Sequence, residues 1–126
     1  MQKLIFESAW DKTISQKDRK AIEQAFQKAD IIETAAIPIT PLWQAINHKG
    51  DLLATVIIHN INNKDLFLNH TRLNYFEENT LIAEYAFKVS AIILPPKTSM
   101  PWTFIFPKES LIQQPSLQNG YLQIEE

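Results

Sequence analysis

One turn and the two apolar runs beside it decide the fold: Leu42-Trp43-Gln44-Ala45-Ile46, Asn47-His48-Lys49-Gly50-Asp51 and Leu52-Leu53-Ala54-Thr55-Val56-Ile57-Ile58-His59-Asn60. Two such runs around a turn predict a β-hairpin, because Gly50 can supply the positive φ that a tight turn needs. In the second run both alternating faces are largely apolar. A strand that is apolar on both faces is typical of the centre of a sheet.

The chain beyond this hairpin continues in short β-rich runs. They cover residues 66–68, 72–76, 81–89 and 102–106, and clusters of Asn, Glu, Lys and Pro separate them. No helical pattern intervenes, which favours an antiparallel sheet arrangement over a parallel α/β sheet. We therefore predict a mostly β protein whose residues 36–126 form an immunoglobulin-like antiparallel β-sandwich.

The N-terminal residues 1–35 are expected to form an arm and one amphipathic α-helix that packs on the sandwich. Residues 1–14 fit either a helical stripe or an extended arm. From Ser15 the pattern is helical, with Ser15 as the N-cap, Asp18 in the first turn and an apolar face through to Asp30. We expect the boundary between arm and sandwich near Thr34 to Pro38, where prolines begin to exclude a regular helix.

The bulk composition excludes several classes of function. A net charge of −2 offers no basic field for nucleic acid, and the absence of cysteine excludes disulfides and thiolate metal sites. A secretory signal requires an uninterrupted apolar stretch, but Glu7 interrupts the first apolar residues. No apolar run is long enough to span a bilayer. We expect a cytoplasmic protein with no nucleic-acid partner and no direct membrane insertion.

No residue pattern indicates catalysis, a cofactor or a metal. The two glycines form no phosphate-binding loop, and the three histidines (His48, His59 and His70) are expected to be ordinary surface residues in a turn, at a strand end and in a loop. The candidate nucleophiles Ser99, Ser110 and Thr103 have no local signature of a base. We therefore predict no catalytic, cofactor-binding or metal-binding residues, and no enzyme.

The tryptophans are the best candidates for a contact surface, since indoles bury large areas at interfaces. Trp43 follows Pro41 on what looks like an edge strand, and we predict Trp43 and Trp10 as interface residues. Trp102 and Phe104 alternate with Phe106, which indicates core packing. Gly50, Trp102 and Phe104 are therefore predicted to be structural.

Two motifs resemble the SLAP domain family: the turn Asn47-His48-Lys49-Gly50-Asp51-Leu52-Leu53 and the strand Pro101-Trp102-Thr103-Phe104-Ile105-Phe106, with the adjoining residues from Ile37 to Asn60, Leu81 to Phe87 and Leu94 to Met100. SLAP domains occur in Firmicutes, notably in an S-layer assembly protein of the accessory Sec system, and the family is associated with export of S-layer proteins. The resemblance implies a binding role and no enzymatic one.

The leading hypothesis is a protein-interaction module that assists secretion or cell-envelope and S-layer assembly, with a protein partner from those systems. An alternative is a self-associating structural scaffold, such as a homo-oligomer formed through a sheet edge or the amphipathic helix. A small-ligand carrier or an enzyme with a site between helix and sheet is the third hypothesis.

Overall fold

A computed structural model describes residues 2–31, 37–68, 70–88 and 92–125. These contain two α-helices, α1 (Ser8–Thr13) and α2 (Gln16–Lys28), and a short 3-10 turn at Lys108–Ser110. The strands are β1 (Lys3–Leu4), β2 (Ile39–Ile46), β3 (Leu52–Asn60), β4 (Leu66–Phe67), β5 (Thr71–Glu77), β6 (Thr80–Phe87), β7 (Ile93–Leu94), β8 (Thr98–Phe106) and β9 (Gly120–Ile124). The predicted mostly β, antiparallel fold with one helical region ahead of the sheets is confirmed.

Two sheets build the sandwich. One has the order β1-β8-β3-β2 and the other β6-β5-β9, while β4 and β7 form a separate two-stranded ribbon. Their pairs are antiparallel except for β1, which runs parallel to the start of β8. β3 lies between β2 and β8, as its two apolar faces predicted.

The core lies between the two sheets. One face of β3 meets the facing residues of β8 in register, for example Leu52 opposite Phe106 and Ala54 opposite Phe104. The other sheet contributes Leu73 and Tyr75, and Tyr75 packs against Phe106 with 6.2 Å between ring centroids. Phe104 is only 3% exposed. β8, which carries aromatic residues at alternate positions, is therefore a core strand.

The opposite face of β3 is covered by the N-terminal helices. Ile57 and His59 are buried there, and the Phe26 ring of α2 stacks on the His59 ring with 6.5 Å between centroids. Ile22 is the fully buried residue of α2. The protein therefore has three layers, with helices on the first sheet and the first sheet on the second.

The N-terminal arm combines both of the alternatives that the sequence left open. Residues 3–4 add a strand to β8, and six residues then form α1. The predicted helix is confirmed as α2, whose first turn is capped by Ser15: its hydroxyl accepts from the Asp18 amide at 3.1 Å. The predicted boundary at Thr34 to Pro38 falls largely on residues 32–36, outside the described ranges.

Several details differ from expectation. β2 and β8 begin earlier than predicted, and β9 was not predicted at all. The alternation along residues 81–89 predicts Tyr85 on the core face together with Ala83 and Phe87, but Tyr85 is 40% exposed on β6, an edge strand. Val89, the last residue of the predicted 81–89 run, lies outside the described residues.

Candidate functional site

A groove between the helices and the first sheet brings together residues from five places in the chain. Trp10 of α1, Ile14 in the connection after α1, and Asp18 of α2 line one side. Trp43 of β2 lines the other. The groove has a volume of about 270 Å³. The two tryptophans predicted as interface residues therefore share one concave surface, although 33 positions separate them in the sequence.

Trp43 reaches the groove because of an irregularity in β2. The register against β3 shifts between Pro41 and Trp43, so that Trp43 lies opposite Thr55. Such a bulge re-aims side chains beyond it, and proline favours this place because it has no amide to donate to the ladder. Trp43 is 36% exposed, which is high for so large an apolar ring.

Trp10 is held in place from three directions. The Glu7 carboxylate caps α1 by accepting from the amides of Ala9 at 2.8 Å and Trp10 at 3.2 Å. The indole stacks on Trp102 with 6.4 Å between centroids, and Trp102 is half-buried at the margin of the core. An ion pair between Asp11 and Arg19, with N and O 2.8 Å apart, ties α1 to α2.

The floor of the groove is polar. The hydroxyls of Thr55 on β3 and Thr103 on β8 are hydrogen-bonded to each other at 2.8 Å. Each hydroxyl has one proton and two acceptor positions, so the pair keeps more acceptors than donors for a ligand. With the exposed Asp18 also in its lining, the groove offers indole faces and oxygen acceptors.

A second polar cluster lies deeper under α2. His59 Nδ1 lies 2.6 Å from Ser99 Oγ, and His59 Nε2 lies 2.7 Å from Thr40 Oγ1. Gln2 of the arm also donates to Ser99 Oγ at 3.1 Å. Burial lowers the pKa of His59 to about 4, so the ring is neutral at pH 7. Both ring nitrogens have hydrogen-bond partners.

This cluster resembles a nucleophile with its base, but a substrate cannot reach it. Ser99 is fully buried and His59 is 1% exposed. The prediction that His59 is a surface residue was wrong, because α2 covers the face of β3 on which it lies. Ser99 belongs to β8. The cluster satisfies buried polar groups and holds the arm on the sheet.

The remaining sequence candidates lie apart from both clusters. His48 is in the exposed hairpin turn, where Gly50 has a φ of +89°, and His70 is an exposed residue before β5. Ser110 Oγ donates to the Pro107 carbonyl within its own turn. In the parts of the chain that the structure describes, no three His, Asp or Glu side chains are grouped as metal ligands.

Sequence reasoning missed most of the groove. Asp18 was considered only as part of the first turn of a helix, and Thr103 only as a nucleophile. Thr55 was treated as one residue of a central strand, and Ile14 as one residue of the N-terminal arm. The signal that could have pointed to Thr55 and Thr103 is their place on the second face of two strands, where threonine is less apolar than its neighbours. Nothing local indicated that α2 would place Asp18 beside them.

The structure is a small β-sandwich with a helical cover and a surface groove lined by two tryptophans. The chain belongs to the SLAP domain family, whose match covers residues 4–124 and so includes the arm and helices as well as the sandwich. No curated protein and no solved structure gives a significant match. Among the described residues, no helix is long and apolar enough to cross a membrane.

Proposed function

We propose that this SLAP domain is a non-enzymatic protein-interaction module that binds its partner in the Trp10–Trp43 groove. The supporting observation is that two indoles from separate elements border one groove, with Trp43 36% exposed. Aromatic anchors at the centre of a concave patch carry much of the energy of protein interfaces. The mutually bonded threonine hydroxyls would supply the polar contacts that orient the partner.

The biological setting that we propose is assistance to protein secretion or cell-envelope assembly, with the protein on the cytoplasmic side. Membership of the SLAP domain family supports this setting, since the family is associated with accessory Sec export of S-layer proteins. Partners would be secretion or envelope components. The sealed Ser99–His59 cluster supports a binding role over catalysis, because substrate access is required for chemistry.

Self-association is a second candidate function, and the β4–β7 ribbon favours it. Phe67 and Ile93 lie opposite each other in register and are 57% and 50% exposed. A neighbouring pair of exposed apolar side chains is a plausible contact between two copies. Light scattering of the wild type and of Phe67→Ala tests this: a dimer lost in the variant supports it, and a wild type that is monomeric at high concentration contradicts it.

Affinity capture from the native host tests the leading function. Tagged wild type, Trp43→Ala and Tyr85→Ala are expressed at native level, and the captured proteins are quantified by mass spectrometry. We expect secretion or envelope components that are lost with Trp43→Ala and kept with Tyr85→Ala, a matched loss of an exposed ring outside the groove, since Tyr85 is 40% exposed. Equal recovery by both variants would contradict it.

A further inference from the structure

We infer that the Trp10–Trp43 groove recognises a basic side chain, lysine or arginine, presented by the protein partner. The inference rests on the proposed function and names the chemistry of its ligand. It is carried by three features of the groove: its charge, its polar atoms and its size.

The first feature is charge. Of the described residues that line the groove, Asp18 is the charged one, and it is exposed. Two cations flank Asp18 in the chain, Lys17 and Arg19, and neither lines the groove. Arg19 donates to the Asp11 carboxylate at 2.8 Å, and its guanidinium lies 4.7 Å from the Phe6 ring centroid. The charged residue of the groove lining is therefore an acid, which complements a cationic ligand.

The second feature is the pairing of indole faces with oxygen acceptors. A cation over the face of tryptophan is attracted by the ring quadrupole, and tryptophan is the best aromatic partner for it. Ammonium and guanidinium groups carry donors and no acceptors. Thr55, Thr103 and Asp18 offer the acceptors that such a group needs.

The third feature is size. At about 270 Å³, the groove lies at the lower end of the roughly 300–1,000 Å³ of pockets that enclose small molecules. One long side chain fits such a volume, with its methylene stem along Ile14 and the indoles and its charged end at the oxygens. A partner segment would lie across the mouth of the groove and insert this one residue.

The test uses the whole chain and four capped heptapeptides of glycine and serine, with arginine, lysine, norleucine or glutamate at the centre. Binding is followed by NMR of the three indole N–H groups, assigned with single Trp→Phe variants. We expect the arginine and lysine peptides to shift the Trp10 and Trp43 signals saturably. We expect Asp18→Asn to weaken this binding by about three- to fivefold, as for an exposed ion pair, and Glu23→Gln, an equal charge change at an exposed α2 position, to leave it unchanged.

Three results would overturn the inference: no saturable shift with the basic peptides, equal shifts with norleucine, or equal affinity in Asp18→Asn. A saturable response to N-acetylglucosamine without one to the basic peptides would replace it with a glycan site. Affinity capture distinguishes failure of this inference from failure of the proposed function. If Trp43→Ala loses partners that Asp18→Asn keeps, the proposed function stands and the inference fails. If Trp43→Ala keeps them, both fail.

Discussion

Thr55 and Thr103, 48 residues apart, share a hydrogen bond of 2.8 Å between their hydroxyls on the floor of the groove. They are cross-strand partners of β3 and β8 on the helical side of the sheet. Thr55 is buried and Thr103 is half-buried. The pair thus joins two strands and also shapes the candidate site.

The energetics of this pair are testable by a double-mutant cycle. Thr103→Val leaves the buried Thr55 hydroxyl without its partner, and we expect a loss of about 1–2 kcal/mol in the free energy of unfolding. Thr55→Val should cost less, because the Thr103 hydroxyl can reach water. The loss of stability in the double variant should be smaller than the sum of the two single losses, since no buried hydroxyl then remains without a hydrogen-bond partner. Urea unfolding measures all three, and additive losses would show that the hydrogen bond contributes nothing.

Gly120 of β9 is predicted to tolerate no side chain. A Cβ at this position would overlap the Tyr75 hydroxyl, and Tyr75 is fully buried in the core. We expect Gly120→Ala to cost at least about 3 kcal/mol, from overpacking and from the displaced Tyr75 hydrogen bond. Gly50→Ala is the control: its φ of +89° is strained but its Cβ would meet only the flexible Lys108 side chain, so about 1 kcal/mol is expected. Equal losses in thermal unfolding would contradict this.

Glu77 of β5 holds the segment before β9 against the second sheet through hydrogen bonds. Its carboxylate accepts from the Tyr75 hydroxyl at 2.7 Å, the Ser116 amide at 2.8 Å and hydroxyl at 3.0 Å, and the Leu117 amide at 2.9 Å. Burial alone would raise the pKa of Glu77, but these hydrogen bonds outweigh it and hold the pKa below its ordinary value of 4.5. Burial and the adjoining carboxylate raise the pKa of Tyr75.

We expect Glu77→Gln to destabilise the protein by about 2–3 kcal/mol, because an amide nitrogen would face groups that donate. The stabilisation from Glu77 is present above pH 4.5 and is lost as the pH falls through the lower value of the folded state. Glu78→Gln, an exposed neighbour with one hydrogen bond to Asn119, is the control and should be nearly neutral. Chemical denaturation that shows an equal loss of stability in the two variants would contradict this role of the Glu77 hydrogen bonds.

His59 sets a pH dependence in a different range. Because its pKa is about 4 when folded and near 6.5 when unfolded, the unfolded chain binds a proton first as the pH falls. Stability is complete above pH 6.5 and decreases towards pH 4, by about 2 kcal/mol at pH 5. Urea unfolding at pH 7.5, 6 and 5 measures this. His59→Gln should be less stable at pH 7.5 but nearly flat over this range, and an equally steep decrease in the variant would assign the effect to other groups.

The sequence predicted those elements whose causes are local. Gly50 and its flanking apolar runs identified the hairpin, and Ser15 with Asp18 identified the start of α2, because turns and caps depend on a few neighbouring residues. The two apolar faces of β3 correctly predicted a central strand. They did not reveal that the second face would be covered by helices rather than by another sheet.

What the sequence could not predict depends on long-range contacts. His59 was taken for a surface residue because nothing near it in the chain indicates Phe26 and α2 above it. The groove was anticipated only through its two tryptophans. Its floor and its charge come from Thr55, Thr103 and Asp18, which meet only after the strands pair and α2 docks, and periodicity does not encode that geometry.

The central claim, that Trp10 and Trp43 form one partner-binding surface, is tested most directly by quantitative affinity capture with Trp10→Ala beside Trp43→Ala. Both variants should keep their thermal transition well above the assay temperature, which differential scanning calorimetry verifies. We expect the two variants to lose the same set of proteins while Tyr85→Ala, which removes an exposed ring outside the groove, keeps that set. Loss of different proteins by the two variants, or of none, would contradict it.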